Sequence, residues 1–223
     1  MRMNRLFSLE LPFTRFLRNV VLVSLAALIP VVLLYVATRP GFGAMLLGGG
    51  PALSRFLRQI ITNGLPVVFI VNYISFFLFA WMNTGSRGKR DSAFIVLVDI
   101  TARLMAFVVL HALIYVLSAD WFGSFAGSRI TALSVVAPTL ARSALFENIS
   151  GAYLYATLVS ALPLYVGAVE RSALFDRLTR RFPRKSGPVI IALALFACFA
   201  LILSGIAALA VHLQEGFSWG GAG

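Results

Sequence analysis

The chain has 223 residues, of which 60% are hydrophobic and 12% are charged, and its formal net charge is +11 at pH 7. Ordinary soluble domains are about 45–50% apolar and about 25% charged, so this composition excludes a water-soluble globule, a disordered chain and a collagen-like fibre and indicates an integral membrane protein. The single cysteine, Cys198, excludes an internal disulfide, a CxxC redox motif and a thiolate metal cluster.

Five apolar stretches are long enough to cross a bilayer as helices. A spanning helix needs about 20 mainly apolar residues, because each residue adds about 1.5 Å across a hydrocarbon core about 30 Å thick. The predicted spans cover residues 19–37, 65–82, 93–117, 149–169 and 188–212. Continuous runs of this kind differ from the short, alternating strands of a membrane β-barrel. The sequence therefore predicts one all-α membrane domain over residues 1–223, a bundle of five transmembrane helices.

Basic residues are concentrated in alternate connections of the predicted bundle. Thirteen of the 19 Lys and Arg residues fall in the N-terminal arm and in the second and fourth connections, and five fall in the other connections. Because basic segments resist translocation, the N-terminus is predicted to be cytoplasmic and the C-terminus periplasmic. Aromatic residues at predicted span ends, including Trp81 and Tyr165, fit a belt at headgroup level. We expect a multi-pass protein of the bacterial inner membrane.

The connections on the predicted outer side contain amphipathic segments. A glycine-rich break at residues 48–51 is followed by apolar residues at helical spacing over 53–61, with basic residues on the opposite face. This pattern predicts a short helix in the membrane interface. The second outer connection predicts two further amphipathic pieces, 129–137 and 139–147, separated by Pro138.

The fourth connection is basic and amphipathic, which is typical of a helix on an anionic lipid surface. The residues expected to contact lipid headgroups are Arg177, Arg180, Arg181, Arg184 and Lys185. Docking of an acidic partner protein is the alternative interpretation. A nucleic-acid partner is not expected, because the basic residues are not interleaved with stacking aromatics on a soluble surface.

The third span contains three ionisable residues, Asp99, Arg103 and His111, which fall on one face of a helix. Such side chains are costly in the bilayer, so they are candidates for function. Asp99 precedes Arg103 by four residues, which predicts an ion pair. Asn72 and Ser75 of the second span are the expected companions of this polar stripe.

Two interpretations of the polar stripe remain. It is either part of a proton or ion path, with His111 titrating near neutral pH, or a set of polar contacts that hold helices together. The second is favoured, because an aspartate held by a neighbouring arginine stays ionised and titrates poorly. The sequence identifies no cofactor, and a bis-histidine haem site is not expected because His212, the only other histidine, lies near the far end of the fifth span.

Small residues at four-residue spacing occur in the last two spans, where close approach of helices depends on them. They are Ala152, Ala156 and Ser160 in the fourth span and Ala200, Ser204 and Ala208 in the fifth. The two stripes predict that these spans pack against each other. Helix-kinking prolines occur as well, among them Pro163 in the fourth span.

Enzyme motifs such as HExxH and GxSxG are absent from the sequence, and catalysis is not expected. The predicted function is that of a non-catalytic membrane subunit: a scaffold, assembly factor or accessory component of a larger inner-membrane complex, with other membrane proteins as partners. The alternative is a small ion or solute transporter or channel that acts as an oligomer, with the polar stripe on its path.

Overall fold

The structure, a computed structural model, describes residues 6–48, 50–82, 92–172, 175, 181–183 and 186–219, with only the backbone for 92, 93 and 214–219. Over these ranges the chain is helical and contains no strand. Five helical segments are long and apolar enough to cross a membrane: Phe13–Ala37, Pro51–Met82, Phe94–Phe122, Ile149–Arg171 and Gly187–Leu213. The five predicted spans are confirmed, and the chain is a multi-pass membrane protein.

The described residues form nine α-helices, seven of which build the five long segments. They are α1 (Phe13–Ala37), α2 (Phe42–Leu47), α3 (Pro51–Gln59), α4 (Leu65–Met82), α5 (Ser92–Phe122), α6 (Arg129–Ala144), α7 (Ile149–Ser160), α8 (Leu162–Arg171) and α9 (Gly187–Trp219). The second span consists of α3 and α4 and the fourth of α7 and α8, so two of the five spans are composite.

The segment predicted as a separate interfacial helix is continuous with the second span. A wider, π-type turn at Ile60–Gly64 joins α3 to α4, and the joined helix has 32 residues. At about 1.5 Å per residue it is about 48 Å long, more than the hydrocarbon core requires. Gly64 lies against the ring of Tyr153, where a larger residue would overlap the ring.

The connection between the third and fourth spans also differs from the prediction. α5 continues to Phe122, a short left-handed turn reverses the chain, and α6 is one helix of 16 residues with Pro138 inside it. The predicted division into two pieces is therefore wrong. A proline inside a helix removes one backbone hydrogen bond and crowds the carbonyl four residues before it, so other contacts must offset this cost. Contacts with α5, α7 and α9 hold α6 continuous, and an ion pair between Arg129 and Asp120 (2.7 Å) closes its junction with α5.

The fourth and fifth spans pack against each other, as predicted, but they do so mainly through α8 and not through the small-residue stripe on α7. α7 packs most extensively on α1 and also on α4 and α6, whereas α9 packs on α8 and α6. Ala152 and Ala156 are fully buried, but Ala208 is exposed. Ser204 donates to the Ala144 carbonyl at the end of α6 (3.3 Å). The stripe on α7 is not the main contact surface for α9, because α6 packs against the part of α9 that contains Ser204.

Two apolar clusters fill the bundle, one towards each end. The first core lies near the start of α1 and includes Phe16, Phe76 and Phe79, and the second core lies near its end and includes Leu28 and Phe107. Buried polar side chains separate the two cores, and we call them the polar layer: Ser24, Asn72, Asp99, Arg103, Thr157 and Ser160. They come from α1, α4, α5 and α7.

Candidate functional site

Arg103 is the centre of the polar layer and is fully buried. Its Nε donates to Oδ2 of Asp99 at 2.7 Å, and its Nη2 lies 3.4 Å from Oδ1 of the same carboxylate. The two residues are one helical turn apart in α5, so the ion pair expected from their spacing is present. A bidentate pair of this kind orients the guanidinium as well as neutralising it.

The guanidinium also joins α5 to α4 and α7. Its Nη1 donates to Oδ1 of Asn72 at 2.5 Å and to the Thr157 carbonyl at 2.7 Å, and it lies 3.2 Å from Oγ of Ser160. These acceptors replace the water that a charged group would otherwise need, which lowers the cost of burying the arginine.

The Thr157 carbonyl is available because the fourth span is broken. The N–H of Ala161 donates to Leu158, three residues back, rather than to Thr157, and Pro163 in the first turn of α8 has no N–H to donate. The last carbonyls of a helix carry partial negative charge. α7 therefore ends with its negative pole directed at the buried arginine.

Asn72 extends the polar layer to α1. Its Nδ2 donates to Oγ of Ser24 at 2.9 Å, while its Oδ1 accepts from Arg103 and, at 2.7 Å, from Ser160. The Ser160 hydroxyl also lies 2.6 Å from the Thr157 carbonyl. The Asn72 amide thus links four helices: its nitrogen donates to α1, and its oxygen accepts from α5 and α7.

Tyr165 also belongs to the site, although the sequence did not predict it. Its hydroxyl donates to Oδ2 of Asp99 at 2.7 Å, and its side chain is only 5% exposed. The expected position in a headgroup belt is therefore wrong. Tyr165 begins the second turn of α8, after the break that follows Ser160, so its direction depends on the geometry of that break. The kink-forming Pro163 was the only signal in the sequence.

An aromatic stack covers one face of the guanidinium. The Cζ of Arg103 lies 4.8 Å from the centroid of Phe76, which stacks on Phe7 with centroids 3.9 Å apart. A cation over an aromatic face is stabilised by the ring quadrupole. Phe7 is 1% exposed, so part of the N-terminal arm, expected only to be basic, packs inside the first core.

Two residues of the predicted stripe lie outside this network. Ser75 is buried, and its hydroxyl has no hydrogen-bond partner within the described ranges. His111 is eight residues beyond Arg103, about 12 Å along the helix, and its Nδ1 pairs with the Phe107 carbonyl of its own helix at 3.0 Å. The stripe is thus divided into a central network and a separate histidine.

The residues predicted to contact lipid headgroups fall in the fourth connection. Arg181 is exposed. Arg177, Arg180, Arg184 and Lys185 lie outside the described residues. His212, the second histidine, is exposed near the end of the fifth span.

We expect Tyr165→Phe to lower the free energy of unfolding by about 1.5 kcal/mol, the low end for a hydrogen bond to a charged group, because Arg103 still binds Asp99. The measurement is unfolding of the purified protein in mixed micelles as the denaturing detergent is increased. Tyr35→Phe is the matched control, since Tyr35 is only partly buried and lies near the far end of α1. Equal losses for the two variants would contradict the role given to the Tyr165 hydroxyl.

The chemistry open to the polar layer is restricted by its hydrogen bonding. The Asp99 carboxylate accepts from Arg103 and Tyr165, and every hydrogen bond of the guanidinium described above ends on an oxygen inside the bundle. Among the described side chains, no three His, Cys, Asp or Glu residues are grouped to hold a metal ion. The arrangement is suited to holding helices together. No protein-family model, curated protein or solved structure matches the chain.

Proposed function

We propose that this chain is a non-catalytic membrane subunit, a scaffold, assembly or accessory component of a larger complex in the bacterial inner membrane. The observation that carries the proposal is the closure of the polar layer. Arg103 and Asp99 are 0% and 4% exposed, and each is bound by side chains or carbonyls of neighbouring helices. Charges held in this way stabilise one arrangement of helices and are poorly suited to exchange ions.

The space next to the ion pair is small. A cavity bordered by Asp99, Tyr165 and Arg171 has a volume of about 10 Å³. About 10–15 Å³ is the least that holds a single water molecule. The cavity is thus at the lower limit for one water molecule, which favours a structural role for the pair over an ion path.

The outer faces of two spans support the presence of partner subunits. In an apolar stretch of 18 residues within each span, only 17% of the third span and 11% of the fifth are buried within the chain, against 67% of the fourth. The exposed surface of α9 includes small residues, among them Ala197, Gly205 and Ala208. In lipid, small residues allow another helix to approach closely. We propose that partner helices pack on this face of α9.

The proposed topology has a cytoplasmic N-terminus and a periplasmic C-terminus. It is supported by the excess of basic residues in the N-terminal arm and in the second and fourth connections. These connections would contact anionic headgroups of the inner leaflet. Reporter fusions at the two termini test the orientation, and a cytoplasmic C-terminus would contradict it.

The test of the subunit proposal is gentle solubilisation through a C-terminal tag, followed by native mass determination. We expect different polypeptides at a fixed ratio, and we expect Ala208→Leu to reduce their recovery. Ala137→Leu, the same change at an exposed position of α6, is the matched control and leaves recovery unchanged. A single species from native membranes, whether monomer or homo-oligomer, would contradict the proposal.

Transport by an oligomer is the second candidate, and one observation favours it. The fourth span is broken beside a buried ion pair, and broken helices of this kind surround the substrate sites of many transporters. Flux through reconstituted vesicles distinguishes the two functions. Loss of flux in Asp99→Asn, with the protein still folded, would establish transport.

A further inference from the structure

A cleft of about 230 Å³ lies between α5, α8 and α9, on the side of the bundle where the first core lies. Over the described part of the chain its lining is apolar except for the hydroxyl of Tyr165, and it includes Val96, Ile100, Val169, Phe196 and Phe199. Leu97 and Leu195 are 62% and 42% exposed, whereas Leu158 and Ala192 are fully buried. Ala168 and Val169 of α8 are buried as well. The cleft is therefore closed off by α7, α8 and the start of α9, and it opens sideways between Leu97 of α5 and Leu195 of α9.

The cleft exists because α9 is held at a distance from α5. α9 packs on α8 in one half of the bundle and on α6 in the other, and it has at most marginal contact with α5. The aromatic side chains of Phe196 and Phe199 line the gap without filling it. Since the mouth lies among spans that cross the bilayer, lipid and not water surrounds it.

The chemistry of the lining defines the occupant. Among the described residues that line the cleft, the only polar side chain is that of Tyr165, and its hydroxyl already donates to Asp99. An occupant of the deep part thus gains nothing from polar groups and must be a hydrocarbon. The volume is below the roughly 300–1,000 Å³ of sites for drug-sized molecules. A single flexible chain suits it better than a ring system.

Arg171 lies next to the cleft, at the position where the headgroup of a lipid bound there would lie. The small cavity that borders Arg171 shares Val96, Tyr165 and Ala168 with the cleft, so the two spaces adjoin. Arg171 ends α8 and is exposed. Its Nε donates to the Gly167 carbonyl (2.9 Å), and within the described part of the chain it forms no ion pair. Its charge is free to bind an anion.

We propose that the cleft binds one acyl chain of an anionic phospholipid, whose phosphate contacts Arg171. The lipid acts as a structural filler between α5 and α9, next to the tyrosine that completes the polar layer. This site is independent of the proposed subunit function, since it needs only this chain and its membrane.

The test is native mass spectrometry of the full-length protein in neutral detergent, titrated with phosphatidylglycerol and phosphatidylcholine of identical chains. We expect one phosphatidylglycerol to bind per chain. Its affinity should be about fivefold higher than that of phosphatidylcholine, because this is the gain expected from one basic residue near an anionic headgroup. Arg171→Gln abolishes this preference but keeps one bound lipid. Ala192→Phe fills the cleft and weakens binding at least about tenfold.

Ala194→Phe is the matched control, because Ala194 lies on the exposed side of the same helix, and it leaves lipid binding unchanged. If gel filtration shows that Ala192→Phe does not fold, the wild-type competition and Arg171→Gln decide the question. Equal binding of the two lipids by the wild type would overturn the proposal. So would retention of a quinone or isoprenoid, or undiminished lipid binding by a folded Ala192→Phe variant.

Discussion

Replacing Arg103 with leucine is expected to lower the free energy of unfolding by about 3–5 kcal/mol, the range for breaking a buried ion pair from one side. The loss is large because Asp99 would remain buried with Tyr165 as its one remaining donor described above. The Thr157 carbonyl and Asn72 would also lose the charged donor that they share. Detergent-induced unfolding in mixed micelles, followed by tryptophan fluorescence, measures the change.

The double variant Asp99→Leu/Arg103→Leu is the decisive comparison. It removes both charges, so we expect a smaller loss than the sum of the two single variants, with a coupling free energy of about 1–3 kcal/mol. It does not restore full stability, since Asn72 on α4 and the Thr157 carbonyl on α7 then share only the Ser160 hydroxyl as a donor. Arg103→Lys keeps the charge but not the planar fork and is expected to fall between wild type and Arg103→Leu. A loss below about 1 kcal/mol for Arg103→Leu would contradict a structural role.

Gly151→Ala has the second largest expected effect, a loss of about 3 kcal/mol, at the upper end of the usual cost of overpacking. Gly151 lies in the first turn of α7, against the end of α6. A Cβ there would lie 2.6 Å from the Ser143 carbonyl oxygen and 3.0 Å from the Cα of Phe146. Both are backbone atoms, which cannot rotate away as a side chain does, so the α6–α7 corner would have to open.

Gly167→Ala is the matched control for Gly151→Ala. Gly167 is also helical, but a Cβ there meets no atom within 4 Å. Alanine has the higher helix propensity, so we expect this variant to be neutral or slightly stabilising. Thermal unfolding in detergent compares the two purified variants. Equal stability of Gly151→Ala and wild type would show that the α6–α7 corner has room for a methyl group and would contradict this prediction.

The parts of the fold that the sequence predicted depend on local patterns. The presence of long spans follows from hydropathy, and the five spans are present. The pairing of Asp99 with Arg103 follows from their spacing within one helix, and the pair is present. The single helix α6 was missed because its continuity through Pro138 depends on neighbouring helices rather than on its own residues.

The candidate site was predicted only in part, for the same physical reason. The sequence identified Arg103, Asp99 and Asn72, which are polar residues in apolar spans. It could not identify the Thr157 carbonyl, since backbone atoms have no sequence signature and this one becomes available only where α7 ends. The direction of Tyr165 depends on the same break.

The intrahelical position of the ion pair has a consequence for biogenesis. Synthesis proceeds from the N-terminus, so α5 enters the bilayer before α7 and α8 exist. An isolated aspartate or arginine at mid-membrane costs about 2.5–3.5 kcal/mol on insertion scales. Asp99 and Arg103 neutralise each other within one helix, and Asn72 is already in place on the preceding span. The third span can therefore leave the translocon early, and the later arrival of the fourth completes the coordination of the guanidinium.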